Sequence, residues 1–210
     1  MKRIGVLLMV SIFLTACSLG NNNKIALIED EKNEEGAVIE EDLSNLVYDF
    51  EYEVNDEEFS NLSIWIDQYV NGGTKETVLS LSRDLTDLEE NEGQLSFSLN
   101  NIVPEHSGRE SIDFQLEINQ NETSLTDTVV TVSPKHAIAY GHVLNEDGYT
   151  LTEDEEIVAA MVALNEASEM PAFNLESDVP PNIDFDEHIK EIASDVDVVY
   201  IMKVQFTEEM

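Results

Sequence analysis

From Leu46 onward the chain alternates apolar and polar residues. Tyr48, Phe50, Tyr52 and Val54 fall on one side, with Asp49, Glu51 and Glu53 on the other. That is the period-two pattern of a half-buried strand. Leu62, Ile64 and Ile66 alternate with Ser63, Trp65 and Asp67 and run on to Tyr69. Asn71-Gly72-Gly73 follows, and Asn-Gly predicts a hairpin because both residues tolerate positive φ. Thr77 to Ser82 returns from that turn, with Thr77, Leu79 and Leu81 on one side. Leu95, Phe97 and Leu99 form a further alternating run, and Ile112, Phe114, Leu116 and Ile118 another. Asn119 to Glu122 reads as a turn. Leu125 to Val132, rich in Thr and Val, predicts a strand, and Ala137 to Leu144 a weaker one ending in the tight turn Asn145 to Gly148. Six or seven short strands with polar outer faces predict an antiparallel sandwich.

The last third has a different texture. Thr152-Glu153-Asp154-Glu155 fits a capping box. Ile157, Met161, Leu164 and then Ala167 or Ser168 recur at helical spacing, which predicts a helix over 153–169, closed by Pro171. Asp186 to Ala193 predicts a short helix. In Val196 to Phe206, Val198, Tyr200, Met202 and Val204 lie on one face, with Val199 and Ile201 on the other. A strand apolar on both faces is covered on both, so this one is expected at the centre of a sheet with the 153–169 helix over one face. The fold class expected is α+β, mostly β: an antiparallel β-sandwich-like domain with one C-terminal helix and a final central strand, occupying 46–206.

The N-terminus reads as an address. Lys2 and Arg3 precede an apolar stretch from Ile4 to Leu14. A spanning helix needs roughly 20 apolar residues, so this stretch fits a secretory signal instead. It ends in Leu14-Thr15-Ala16-Cys17, which resembles the lipobox of bacterial lipoproteins. The resemblance covers the signal segment alone. It implies a signal peptide over 1–16 and a diacylglycerol on the sulfur of Cys17. Cys17 is the one cysteine in the chain, so an internal disulfide is excluded. The segment 63–72, from Ser63 to Gly72, also resembles hairpins of small Gram-positive lipoproteins. Residues 17–45, with Asn21-Asn22-Asn23 and the acids of 29–35 and 40–42, read as the lipidated Cys and an acidic flexible tether. The competing reading adds an edge strand at Ile25 to Ile28 or Ala37 to Ile39.

Charge narrows the partners. The chain carries 10 Lys plus Arg against 45 Asp plus Glu, a formal net charge of −35. Such a charge repels phosphate backbones, so no nucleic-acid partner is expected. It also opposes docking on anionic lipid headgroups, so the membrane is reached through the lipid anchor. A solvated surface that keeps the protein soluble is the favoured reading of the acids; cation buffering and recognition of a basic partner are the others.

Catalytic chemistry is sparse. The sequence has no Gly-x-Ser-x-Gly, His-Glu-x-x-His, Walker-type or dinucleotide-binding motif. Asp184, Asp186 and His188 alternate beside Glu187, a pattern open to a divalent metal or an acid–base pair. In so acidic a chain such triples arise readily, and capping of a helix start is the favoured reading. His106, His136 and His142 are scattered, with His136 and His142 about 20 Å apart along a strand, and each reads as a surface or turn residue. Trp65, Tyr69 and Tyr140 have the chemistry of a carbohydrate or peptide platform. The reading favoured for them is burial in a strand covered on both faces. No catalytic, metal or cofactor-binding residue and no cofactor is therefore assigned, and the one site residue is Cys17, for lipidation. The function expected is a membrane-anchored extracytoplasmic lipoprotein, a non-enzymatic module binding a protein, peptide or cell-wall partner. The alternatives are a metal- or carboxylate-dependent cell-envelope hydrolase using Asp184, Asp186, Glu187 or His188, and an assembly factor for a membrane protein complex.

Overall fold

The computed structural model describes residues 23–28, 46–54, 59–71, 73–86, 92–102, 111–120, 123–132, 137–144, 147–165 and 196–208. They form strands joined by turns, with no helix among them. Cys17, His106, His136 and the Asp184 to His188 group lie outside these residues, as does the short helix expected at Asp186 to Ala193.

In chain order the strands are Lys24–Leu27 (β1), Leu46–Glu53 (β2), Asn61–Val70 (β3), Thr74–Asp84 (β4), Glu92–Ile102 (β5), Ser111–Gln120 (β6), Thr123–Val132 (β7), Ala137–His142 (β8), Tyr149–Thr150 (β9), Ile157–Asn165 (β10) and Val198–Thr207 (β11). They build two antiparallel sheets. One has the order β7-β6-β5-β2-β1-β9, the other β4-β3-β11-β10-β8. The sheets pack face to face. Phe114 of the first meets Tyr200 of the second with ring centroids 4.5 Å apart, and Tyr52 meets Phe206 at 5.5 Å. Tyr200 is buried among apolar groups, and the Gln68 amide donates to its hydroxyl at 3.0 Å. Arg83 on β4 ties one side of the two layers by donating to the carbonyls of Ile118 at 3.5 Å and Thr123 at 3.4 Å.

Most of the alternating runs are strands in the expected phase. The inward residues Tyr48, Phe50, Leu95, Phe97, Phe114 and Leu116 are all buried. Asn71 has φ of 47°, the left-handed conformation that the hairpin signal requires. The final strand lies at the centre of the five-stranded sheet, between β3 and β10.

Two expectations fail. The 153–169 helix is absent over its described part. Ile157–Asn165 is strand β10, paired with both β11 and β8. Thr152 to Glu155 makes a turn, with the Glu155 N–H donating to the Thr152 carbonyl at 3.3 Å and Asp154 at φ of 58°. The reason is burial on both faces. Every residue from Ile157 to Leu164 is buried, so no alternation shows, and apolar spacing alone cannot separate such a strand from a helix. Ile157, Val158 and Val162 carry the β-branched side chains that favour the strand. The tether expected over 17–45 also fails at Lys24–Leu27, where the competing reading places an edge strand at Ile25 to Ile28. Lys24–Leu27 pairs with β2 on one side and β9 on the other, so it is an internal strand of the six-stranded sheet. Ile25 is fully buried there.

Candidate functional site

The alternation that buries Tyr48 and Phe50 turns Asp49, Glu51 and Glu53 to the outer face of the six-stranded sheet. Register then gathers side chains from four strands. Ala26, Glu51, Gln94 and Asn119 are successive cross-strand partners, as are Lys24, Glu53 and Glu92. These two rows line a groove of about 530 Å³, to which Tyr52, Gly93 and Gln120 contribute. Three glutamates and one lysine line it, together with the amide residues Gln94, Asn119 and Gln120. The groove thus offers hydrogen-bond acceptors in excess, suited to a polar or cationic ligand. The groove is legible only once the register is known, because its residues come from positions 24 to 120.

Two glycines shape this region. Gly148 has φ of +77°, and a Cβ there would lie 2.0 Å from Cε of Lys24. The lysine stem therefore lies across it. A Cβ on Gly93 would lie 2.5 Å from the Tyr52 hydroxyl and 2.7 Å from the Asn119 carbonyl oxygen. Only glycine leaves room for the tyrosine.

The Tyr52 hydroxyl is buried and has no hydrogen-bond partner among the described residues. Burial pushes its pKa up to about 12, against a smaller downward pull from the Arg83 charge. Burial also raises Tyr149 to about 12, helped by its 2.8 Å hydrogen bond to Glu155 and that carboxylate's charge. Both folded values exceed the usual value of 10.0. The stability they contribute is complete below about pH 10 and is lost as pH rises towards about 12. Urea midpoints are expected to be level below that window and to fall across it. Tyr52→Phe should remove its share of the slope, and at neutral pH it should be neutral or stabilising by up to about 1 kcal/mol, since no hydrogen bond is lost.

The outer face of the other sheet holds a buried ionic cluster that the sequence reading missed. Asp67 is fully buried, and Lys203 is 1% exposed. Lys203 Nζ lies 3.3 Å from Asp67 Oδ2 and 3.0 Å from Glu156 Oε2. Asp67 Oδ2 also receives Lys75 Nζ at 3.1 Å and the Trp65 indole N–H at 3.2 Å, and its Oδ1 accepts from Thr77 at 2.7 Å. A bulge makes this possible. The β3–β4 register slips between Ile66 and Asp67, which puts Thr77 rather than Val78 opposite Asp67. With both Asp67 oxygens engaged, the cluster has the form of an internal brace, not of a free base or nucleophile. The missed signal was Lys203 itself, a lone cation inside the apolar run Val198 to Phe206.

The aromatic platform is not assembled as an exposed surface. Tyr69 is 1% exposed, and Trp65 is half-buried with its indole N–H spent on Asp67. Tyr140 has its backbone opposite Val162 in β8. His142 corrects the surface reading given to it. It is buried opposite the small Ala160, packs edge-on to Tyr48 at 6.0 Å, and its Nδ1–H donates to the Leu144 carbonyl at 2.7 Å. Among the described residues no group of three His, Cys, Asp or Glu could hold a metal ion.

No curated protein and no solved structure matches this chain. A family match does extend across both sheets, from the segment after β1 to the last core residue of β11. The chain matches the YgaN domain over residues 29–206 and belongs to that family.

Proposed function

We propose that the protein is a lipid-anchored extracytoplasmic binding module that engages its ligand on the outer face of the six-stranded sheet. The observation that carries the binding half is the groove of about 530 Å³, where Lys24, Glu51, Glu53 and Glu92 converge with Gln94 and Asn119. Pockets with a few convergent polar groups are where small ligands bind. The anchored half rests on Leu14-Thr15-Ala16-Cys17 behind the apolar stretch. Two acyl chains on a lipoprotein Cys hold a protein stably where one is marginal. The net charge of −35 then keeps the body off anionic headgroups, which leaves the outer face of the six-stranded sheet open to ligand.

The test compares wild type with Cys17→Ser by intact mass and membrane partition. Wild type is expected in the membrane fraction, beginning at Cys17 and carrying diacylglycerol mass, while the serine variant loses the lipid. A soluble wild type with an unmodified thiol would overturn the anchor.

A further inference from the structure

We propose that the free edge of β7 receives an extended, cationic segment of a partner protein as an added strand. The inference goes beyond the proposed function: it adds a second surface on the same sheet, apart from the groove, and does not depend on the anchor.

Among the described residues β7 ends the six-stranded sheet. Its pairing with β6 runs unbroken from Gln120↔Thr123 to Ser111↔Val132. Edge strands are ordinarily guarded by lysine, proline, a bulge or short length. β7 reads Thr-Ser-Leu-Thr-Asp-Thr-Val-Val-Thr-Val over ten residues, without lysine, proline or bulge, and its single charged guard is Asp127, opposite the core residue Leu116. Three large apolar side chains are exposed among the described residues, and two are on this strand: Leu125 at 39% and Val130 at 61%. Arg83 fixes the start of the edge through the Thr123 carbonyl and hydroxyl.

The direction of the free groups is set by one bond. The Thr128 N–H donates to the Asp127 carboxylate at 2.9 Å, so it is not spent on β6. Alternation in an antiparallel ladder then turns the N–H and C=O of Thr126, Thr128 and Val130 outward. Asp127 holds the place that a partner's carbonyl would take. A main-chain ladder supplies the affinity in strand addition, and side chains supply the choice of partner.

Charge selects a cationic segment. β7 lies beside Glu117 and Asp113 of β6, which stand opposite Thr126 and Val130. Asp113 Oδ1 is buried and has no hydrogen-bond partner among the described residues. A lysine or arginine of the added strand, its stem lying across Val130, brings a donor towards that oxygen. A second copy of the chain is the poorer occupant, because both carry a net charge of −35.

The test uses the full-length protein in detergent and a short fluorescent peptide of alternating Lys and Val. Anisotropy should show salt-sensitive binding. The same peptide with alternate amides N-methylated keeps its charge but loses one hydrogen-bonding edge, and it should bind at least about tenfold more weakly. Thr128→Pro and Val130→Lys should weaken binding by a similar factor. Proline is tolerated where the N–H faces solvent, and Val130 is exposed, so both variants should fold. Absence of peptide binding to wild type, or equal binding of the methylated peptide, would overturn the proposal. A wild-type dimer in sedimentation that Thr128→Pro abolishes would assign the edge to a second copy instead. Loss of Cys17 lipid would leave peptide binding unchanged, so anchor and edge fail separately.

Discussion

Asp67→Ala is expected to lower the unfolding free energy by about 3–5 kcal/mol, the cost of leaving a buried charge without its partner. Lys203, 1% exposed, would lose its fully buried counter-charge and keep Glu156, whose side chain is 52% exposed. Trp65 Nε1 and Thr77 Oγ1 would lose their acceptor as well. Removing both charges should behave differently. Asp67→Leu with Lys203→Met replaces the buried pair by apolar groups, and such exchanges are neutral or stabilising in other proteins. The double variant should therefore recover most of the loss. Urea unfolding of the four combinations measures the coupling. A cost below about 1 kcal/mol for Asp67→Ala would mean that the pair is solvated in solution.

Phe114→Ala is the second large effect, also about 3–5 kcal/mol. Phe114 is fully buried and sits between Phe97, at 5.9 Å, and Tyr200 of the opposite sheet, at 4.5 Å. Truncation opens a cavity at the junction of the layers, and the sheets cannot close it without moving as units. Thr126→Ala, on the exposed strand β7, should stay within about 0.5 kcal/mol of wild type. Comparable costs at the two positions would contradict the packing of the two sheets.

Half-buried strands announced themselves. In β2, β5 and β6 one face meets the core and the other meets water, so the register of each side chain is written in the alternation itself. β10 did not, because both its faces are buried and its small residues fit helix and strand spacing alike. β1 was legible only as the competing edge strand near Ile25 to Ile28, for a different reason. Four residues from Lys24 to Leu27 are too short to show a period, and they are strand only because β2 and β9 flank them. The binding features divide in the same way. Cys17 is read from a contiguous stretch, whereas the groove joins Lys24 to Glu92 and Asn119, and the ionic brace joins Asp67 to Lys203.

Contiguous sequence was enough for the strand content of 46–132, the phase of β2, β5 and β6, the hairpin at Asn71, the central place of the last strand and the acidic character of the whole, while the β4 bulge moved Thr77 off the side it was expected to share with Leu79 and Leu81. These follow from local alternation and turn chemistry, which need only neighbours in the chain. Tertiary structure alone decided that 157–165 is a strand, that His142 is buried and that β7 is the last strand of its sheet among the described residues. It also brought a lysine to a buried aspartate 136 positions away. Such outcomes depend on which strands lie side by side. Cross-strand pairing is settled by burying both sheets against one another, a condition that no single segment carries in its own sequence.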